Sequence, residues 1–354
     1  MSLLRIRDLG VTIGRLPPGL LNAITDVPGV LVGHTTIVQN TPYFARTGVT
    51  VIVPRAGAIW ENHVFAGSHI FNGHGEMTGL HMLEESGVLC TAIALTGTFS
   101  VGVAHEALQH YCPPSYGLPV VGETADTYLN GRMRNQVMKE HVDQALQAAR
   151  GGPVAEGNVG GGTGMICHQF KGGIGTSSRL VKHGAETYTV GALVQANHGG
   201  RETLRVDGLP VGKMIGPEKV PLAIPAPVDK NSIIIIIATD APLIPTQCRR
   251  LARQGAAGLS RSGGGESSGS GDILLAFSTG NALPLGMPTV DNLRMIHPDA
   301  LDPFFTAAAE CVEESILNAL TAAETMAGYE GRIAYAMPIE LLQAAIEECR
   351  PGKG

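Results

Sequence analysis

Stretches of strand-like and helix-like hydrophobic pattern follow one another along the whole chain. The strand-like stretches are rich in β-branched residues, and several are apolar throughout, which is typical of buried strands. They comprise residues 29–37, 48–55, 90–98, a hairpin over 177–197 with its turn at His183-Gly184, the five isoleucines Ile233–Ile237, and 272–279 after a glycine- and serine-rich loop. The sequence therefore predicts a chain with many buried strands.

Helix-like stretches lie between and after these strands. They comprise residues 76–86, the end of 123–150 before Gly151-Gly152, 242–258, a long helix with Asp302 as N-cap and Pro303 at its first helical position, and a last helix after Pro338. Residues 206–231 carry five prolines and predict an extended surface segment. Because no linker or repeat divides the chain, we predict one α/β domain over residues 1–354, with helices covering sheet on both sides.

Composition narrows the class of protein. The 354 residues are 44% hydrophobic and 16% charged, which suits a globular chain with a substantial core. No apolar run is long enough to cross a bilayer, and a net charge of −6 without a basic cluster argues against nucleic acid and anionic membranes as partners. The six cysteines are scattered and the first residues lack the core of a signal peptide, so we predict a reduced, cytoplasmic protein.

The histidines and glycine-rich stretches match none of the common cofactor motifs. His63, His69, His74 and His81 are six, five and seven residues apart, which fits no two-ligand helix face, and HExxH is absent. The stretches GNVGGGTG and FKGGIGTSS lack the phosphate-loop pattern. We therefore predict neither a metal nor an organic cofactor. A Ser–His–Asp triad stays open, although no GxSxG elbow is present.

The Asn231-Ser232 junction lies where the isoleucine strand begins. A serine hydroxyl can attack the carbonyl of the preceding residue and convert the peptide bond into an ester that water then cleaves. The new chain would begin with Ser232, and its free α-amine, with a pKa of roughly 7.7–8.0, can act as a general base for the adjacent hydroxyl. The alternative is an ordinary serine at the start of a buried strand, and the local sequence alone favours that alternative.

Six motifs spread over nearly the whole chain resemble the family of self-processing serine aminopeptidases, which includes L-aminopeptidase/D-amidase/esterase and the β-peptidyl aminopeptidases. The motifs are ITDVPGVLVGHTT (24–36), NGHGEMTGLHMLEESG (72–87), VGGGTGMICHQFKGGIGTSSR (159–179), GALVQANHG (191–199), NSIIIIIATDAPL (231–243) and GSGDILLAFST (269–279). The resemblance implies a four-layer αββα sandwich, similar in layering to the N-terminal-nucleophile hydrolases but different in connectivity. It also implies self-cleavage before Ser232 into chains 1–231 and 232–354, which stay associated in a homo-oligomer, often a tetramer of two-piece protomers.

The resemblance implies a role for each of five residues. Ser232 would be the nucleophile, and Ser270 and Asp272 of GSGD would orient or deprotonate it. Asn197 of QANHG would donate to the oxyanion, and Glu123 of GETAD would hold the free amine of the substrate. The structural alternatives are a turn before a strand for the GSGD pair and a first-turn helix carboxylate for Glu123.

The implied function is hydrolysis of small peptides, amides or esters at their N-terminal residue, through an acyl-enzyme on Ser232 and without a metal or organic cofactor. Some relatives carry an aromatic residue two positions after the equivalent of Glu123, where this chain has Ala125, so substrate preference stays open. Two other functions also stay open. One is acyl transfer of the ornithine acetyltransferase type, although that group uses a threonine nucleophile. The other is a binding protein that is neither cleaved nor catalytic.

Overall fold

The computed structural model describes residues 4–112, 117–131, 136–224 and 232–349. Within these ranges, the strands are β1 (Leu31–Gln39), β2 (Ala45–Val53), β3 (Asn62–Gly73), β4 (Val88–Leu89), β5 (Ile93–Gly97), β6 (Val120–Thr124), β7 (Ile166–Cys167), β8 (Phe170–Lys171), β9 (Gly173–His183), β10 (Glu186–Asn197), β11 (Ser232–Thr239), β12 (Gly271–Pro284), β13 (Met326–Ala327) and β14 (Ile333–Ala334).

The helices of the same ranges are α1 (Leu80–Ser86), α2 (Val101–Tyr111), α3 (Thr127–Asn130), α4 (Lys139–Ala148), α5 (Val211–Met214), α6 (Pro245–Arg261), α7 (Asp302–Thr321) and α8 (Ile339–Cys349). Among them, none combines the length and the apolar composition that crossing a membrane requires.

Two sheets make up the centre of the molecule. The smaller has the strand order β1-β2-β5-β6, and the larger has the order β4-β3-β12-β11-β10-β9. The isoleucine strand β11 lies inside the larger sheet, antiparallel to β10 and parallel to β12. This central position explains the apolar run, because a strand that is covered on both faces has no polar side to alternate with.

The side chains of β11 show which layer covers each face of the sheet. Ile233, Ile235 and Ile237 pack into a core shared with α6 and α7. Ile234 and Ile236 point the other way and pack between the two sheets. A third core lies between the smaller sheet and the helices α2 and α4. The layers therefore run helix, sheet, sheet, helix, and the predicted four-layer αββα sandwich is confirmed.

Glycine allows the outer helices to lie close to the sheets. A methyl group added to Gly175 in β9 would lie 1.9 Å from the backbone oxygen of Ser315 in α7. On the other side of the molecule, a methyl group added to Gly33 in β1 would lie 2.0 Å from the oxygen of Ala145 in α4. Backbone therefore approaches backbone at both places, with no room for a side chain.

Most of the predicted elements are confirmed, and some details differ. The hairpin is confirmed, but its two turn residues are Gly184-Ala185, one position later than predicted, because His183 still pairs with Glu186. The long helix takes Leu301, not Asp302, as its N-cap, because the turn Pro298–Ala300 already coils the chain before it. Residues 206–224, the described part of the proline-rich segment, do not lie extended at the surface. They include the short helix α5, and four apolar residues of the segment are buried in the core beside α6 and α7: Val206, Val211, Ile215 and Val220.

Candidate active site

Three neighbouring strands bring the predicted site residues to one edge of the larger sheet. Asn197 ends β10 and is paired directly with Ser232, which begins β11. Ser232 is paired in turn with Gly271, which begins β12. This arrangement follows from strand direction. β10 is antiparallel to β11, so the end of β10 lies beside the start of β11, and β12 is parallel to β11, so both begin at the same edge. Residues far apart in the sequence therefore meet at the start of β11.

Ser270 and Asp272 lie on either side of Gly271 and are bonded to each other. Oγ of Ser270 donates to Oδ1 of Asp272 at 2.6 Å. The other carboxylate oxygen, Oδ2, accepts a hydrogen bond from Nδ2 of Asn72 in β3 at 2.7 Å. The same nitrogen of Asn72 also donates to the backbone oxygen of Gly265 at 3.0 Å, so two hydrogen bonds fix the orientation of this amide. The result is a hydrogen-bonded row of Asn72, Asp272 and Ser270 beside Ser232.

Ser232 itself is held loosely. Its Oγ accepts a hydrogen bond from the N–H of Gly271 at 3.3 Å, and the residue is 8% exposed. A hydroxyl that accepts a hydrogen bond still carries a proton that it can give to a base. The serine is thus a buried hydroxyl at a strand end, between the backbones of Asn197 and Gly271.

The side-chain amide of Asn197 is oriented by two backbone groups. Its Oδ1 accepts from the N–H of Ile166 at 2.8 Å, and its Nδ2 donates to the oxygen of Ala125 at 3.2 Å. Because Oδ1 is occupied by a donor, the amide cannot flip without losing that bond. The N–H₂ end is therefore fixed on the side of Ala125, at the same strand edge as Ser232.

Glu123 reaches the site from the smaller sheet. It lies near the end of β6, and a methyl group added to the preceding Gly122 would lie 3.0 Å from Cγ2 of Ile234 in β11. Gly75 lies between Glu123 and the start of β12. A methyl group added there would lie 3.4 Å from Oε1 of Glu123 and 3.0 Å from Cα of Gly271. The carboxylate is therefore separated from Gly271 by little more than one glycine.

Both oxygens of Glu123 have hydrogen-bond donors. Oε1 accepts from the N–H of Glu76 at 3.1 Å, and Oε2 accepts from the hydroxyl of Thr98. These bonds hold the carboxylate in one orientation. The structural alternative predicted for Glu123, a first-turn helix carboxylate, was wrong, because the residue belongs to a strand.

Burial controls the ionisation of both carboxyl groups. It raises the pKa of Glu123, although the hydrogen bonds from Thr98 and Glu76 oppose that rise. It also raises the pKa of Asp272, and here the hydrogen bonds from Asn72 and Ser270 act in the opposite direction. In each case the hydrogen bonds favour the charged form, because they are made to the carboxylate oxygens. The surrounding donors thus keep two buried acids closer to their ionised state.

The structure brings together five of the residues that the sequence pointed to: Ser232, Ser270, Asp272, Asn197 and Glu123. Asn231, the residue before the predicted cleavage point, lies outside the described residues. Sequence reasoning missed Asn72, Thr98 and Ile166. Asn72 and Ile166 lie within recognised motifs, whereas Thr98 is the last residue of the predicted strand 90–98. Asn72 is the first residue of NGHGEMTG, and its position in that motif was the one available signal.

Comparison with known proteins agrees with this architecture. The model of peptidase family S58 matches residues 22–334. The chain belongs to this family. The beta-peptidyl aminopeptidase BapA of Sphingosinicella xenopeptidilytica is 44% identical to it, over 96% of this chain and 90% of that protein.

Two solved structures extend the comparison to the fold. A beta-aminopeptidase from Burkholderia sp. superposes with a TM-score of 0.90 at 48% identity, covering 98% of this chain and 100% of that one. L-aminopeptidase D-Ala-esterase/amidase from Ochrobactrum anthropi superposes with a TM-score of 0.89 at 40% identity, covering 97% and 98%. The latter is described as a prototype for the serine aminopeptidases and as a new variant among the Ntn hydrolase fold. The predicted family resemblance and fold class are confirmed, and so is a hydrolase of the aminopeptidase type.

Proposed function

We propose that this chain is a self-cleaving serine aminopeptidase in which Ser232 becomes both the new N-terminus and the nucleophile. The single observation that carries the proposal is the register of the larger sheet. It places Ser232 between Asn197 on one side and the Ser270–Asp272 pair on the other. A buried strand has no structural need for three polar side chains at one end, whereas acyl transfer needs a nucleophile, a proton acceptor and an oxyanion donor.

In the first half of the reaction, Oγ of Ser232 attacks the carbonyl carbon of the N-terminal residue of the substrate. Its proton passes to a base, and negative charge develops on the carbonyl oxygen. Nδ2 of Asn197 donates to that oxyanion. The intermediate then collapses, the bond to the leaving amine or alcohol breaks, and the base returns the proton to the leaving group. The product of this half is an ester between the N-terminal residue and Ser232.

In the second half, water replaces the leaving group. The base takes a proton from water as the water attacks the ester, and the serine recovers that proton when the acid product leaves. Two bases are compatible with the site. One is the Ser270–Asp272 pair, in which the carboxylate accepts the hydrogen bond of Ser270. The other is the α-amine of Ser232 after cleavage, whose pKa of roughly 7.7–8.0 suits proton transfer near neutral pH.

Glu123 would select substrates with a free amine. An ammonium ion at the N-terminus is attracted to a carboxylate that is partly removed from water, and the two fixed oxygens offer it acceptors. This role explains why a buried acid is retained so close to Gly271. We propose small peptides, amides and esters with a free N-terminal amine as substrates. Two similar proteins are named beta-peptidyl aminopeptidase and beta-aminopeptidase, which supports substrates whose N-terminal residue is a β-amino acid.

Ala125 bears on the size of the residue that the site accepts. Its oxygen accepts the hydrogen bond of Asn197, so its backbone forms part of the oxyanion region. Its methyl side chain leaves more space beside Asn197 than an aromatic ring would. We therefore expect bulkier N-terminal residues to be tolerated here than in a variant with Ala125→Tyr.

The experiment that tests the proposal is an intact mass spectrum of the denatured protein. Self-processing predicts two species that divide the chain between Asn231 and Ser232. Ser232→Ala should leave one full-length chain and no hydrolysis of an aminoacyl amide. Ser267→Ala, a serine in the loop before Ser270, is the matched control and should process normally.

Two results would contradict the proposal. One full-length mass from active wild-type protein would exclude self-cleavage, and normal processing of Ser232→Ala would exclude this serine as the attacking group. Product analysis with a competing amine acceptor separates hydrolysis from acyl transfer. Light scattering on the purified protein tests the expected tetramer of two-piece protomers.

A further inference from the structure

Cys167, His168 and His198 form a buried cluster next to the oxyanion donor. One potential ligand atom from each residue lies within 4.8 Å of the other two. Sγ of Cys167 is 3.8 Å from Nδ1 of His198, and the two imidazole rings meet edge to face with centroids 5.0 Å apart. Cys167 and His198 directly follow Ile166 and Asn197, which share the hydrogen bond described above. Two residues of the cluster are therefore the direct sequence neighbours of residues at the candidate site.

The imidazole of His168 carries a nitrogen without a hydrogen-bond partner. Nε2 of His168 is buried and makes no hydrogen bond to any described residue. In His198 the nitrogen that faces Cys167 is Nδ1, so its unpartnered Nε2 lies on the far side of that ring and is not a ligand of the same ion. Nδ1 of His168 lies 2.9 Å from the backbone oxygen of Gly200, so this nitrogen carries the hydrogen and Nε2 keeps its lone pair. A buried polar atom without a partner is costly, and one explanation is a ligand that completes it.

The thiol of Cys167 can supply a negative charge. A bound cation would replace the thiol proton, which leaves for solvent, and the resulting thiolate would offset part of the metal charge. The neighbouring amine of Lys171 is held by other partners, because its Nζ donates to the backbone oxygens of Gly162, Met165 and Gly172.

We propose that Cys167, His168 and His198 bind a thiophilic d¹⁰ cation of the Zn²⁺ type. One sulfur and two imidazole nitrogens are ligands that such ions prefer, and zinc sites with three protein ligands keep one position for water. Tetrahedral geometry requires a sulfur–nitrogen distance of about 3.6 Å from the usual bond lengths. The 3.8 Å between Cys167 and His198 needs only a small contraction, and His168 would move further.

This site differs from the histidines that the sequence brought forward. His63, His69, His74 and His81 were considered for their spacing, whereas Cys167 and His198 are thirty-one residues apart in the chain. The cluster exists because β7 and the end of β10 pack together. A bound ion would join these two segments at the residues that follow Ile166 and Asn197, and it would stabilise the folded state by mass action.

The test uses Cd²⁺ as a spectroscopic probe on the full-length protein, without substrate. Wild-type protein should take up one equivalent of Cd²⁺ under native conditions and develop the ultraviolet charge-transfer band of a cadmium thiolate. Its midpoint of thermal unfolding should rise, and Zn²⁺ should compete for the site. Because the ligands are buried, the samples are equilibrated until the band stops growing.

Single-residue variants show which side chains produce the cadmium–thiolate band. Cys167→Ala and His198→Phe should lose both the band and the thermal shift. Cys248→Ala should keep both, since the thiol of Cys248 is also buried but contacts the backbone oxygens of Phe65 and Leu243. Circular dichroism checks that each variant is folded, and His168→Gln provides a second variant should Cys167→Ala fail that check.

Two outcomes would overturn the proposal. One is wild-type protein that shows no band and no thermal shift at equilibrium. The other is a band that survives in Cys167→Ala and disappears in Cys112→Ala, which would assign the ion to the neighbouring thiols Cys90 and Cys112. Because neither readout involves substrate, failure here is distinguishable from failure of the proposed aminopeptidase mechanism.

Discussion

Nδ2 of Asn72 donates to Oδ2 of Asp272 at 2.7 Å, on the oxygen opposite the one that accepts from Ser270. Asp272 therefore has donors on both oxygens, one from β3 and one from Ser270, which directly precedes β12. The bond from Asn72 favours the ionised carboxylate and fixes its plane. Asn72 is thus connected to Ser270 through Asp272, and in the proposed mechanism it is a positioning residue.

Removing this positioning amide should change the pH profile as well as the rate. We expect Asn72→Ala to lower kcat by about 10- to 100-fold, since hydrogen bonds to charged groups contribute about 1.5–3 kcal/mol. The acidic limb of kcat should move to higher pH, because Asp272 loses a donor that lowers its pKa. Initial rates across pH measure both effects.

Asn62→Ala is the matched control for Asn72→Ala. Asn62 lies on the same strand and also bonds to β12, where its Oδ1 accepts from the N–H of Leu283 at 2.9 Å. It lies at the other end of the strand, so its loss should leave the pH profile unchanged. An unchanged acidic limb in Asn72→Ala would refute the positioning role.

Asn197→Ala should lower kcat by about 10²–10³-fold with little change in KM, because the amide would act on charge that develops in the transition state. Gln195→Ala is the control on the same strand. Gln195 is fully buried and donates to the oxygen of Thr96 and to Thr124, so its loss costs stability without touching the oxyanion region. Steady-state kinetics on one aminoacyl amide separates the two. Equal losses of kcat in both variants would contradict the role of Asn197.

Glu123→Gln should act only on substrates with a free amine. We expect kcat/KM for an aminoacyl amide to fall by about 10- to 100-fold, in line with a lost hydrogen bond between charged groups. Hydrolysis of the corresponding substrate without the amine should stay at its wild-type rate. Glu76→Gln, which leaves the backbone donor to Glu123 in place, is the control. Equal losses on both substrates would indicate a structural role.

Asp126, close to Glu123, should give the protein a measurable dependence of stability on pH. Burial raises the pKa of Asp126 from 3.8 to about 6. A folded-state pKa above the unfolded value means that the folded state binds more protons between these values. Its stabilising contribution is complete below pH 3.8 and is lost as the pH rises through 6.

The free energy of unfolding, measured with urea at several pH values, checks this sign. Wild-type protein should lose stability relative to Asp126→Asn as the pH rises from 4 to 6. Asp299→Asn removes a carboxylate at an exposed position and should follow the wild-type curve. A difference between wild type and Asp126→Asn that does not vary with pH would show that the carboxyl group keeps its ordinary pKa.

The close approach of β9 to α7 predicts a large effect from one methyl group. Gly175→Ala would place a carbon 1.9 Å from the oxygen of Ser315, so strand and helix must move apart. Overpacking of this kind costs about 1–3 kcal/mol of unfolding free energy. Gly151→Ala meets nothing within 4 Å and should change stability by less than about 0.5 kcal/mol. Urea unfolding of both variants is the measurement.

The sequence by itself determined seven of the ten strands in the two central sheets and named the candidate site residues. Ile233–Ile237 predicted a buried strand because five consecutive β-branched residues favour a strand and leave no polar face for solvent, and the hairpin around His183-Gly184 is a local feature. Ser232, Asn197 and Glu123 could be named as candidates because the motifs that contain them resemble those of one family. Each of these inferences depends on residues that are close together along the chain.

Only the tertiary structure decided which distant residues support one another. Asn72 meets Asp272 because β3 and β12 are neighbours in the larger sheet. Cys167 meets His198 because β7 packs on β10, and no spacing in the sequence marks that contact. The proline-rich segment was predicted to be exposed, yet its apolar residues are buried beside α6 and α7. Hydrogen bonds and burial depend on which surfaces the fold brings together, and periodicity along one segment carries no information about its partner.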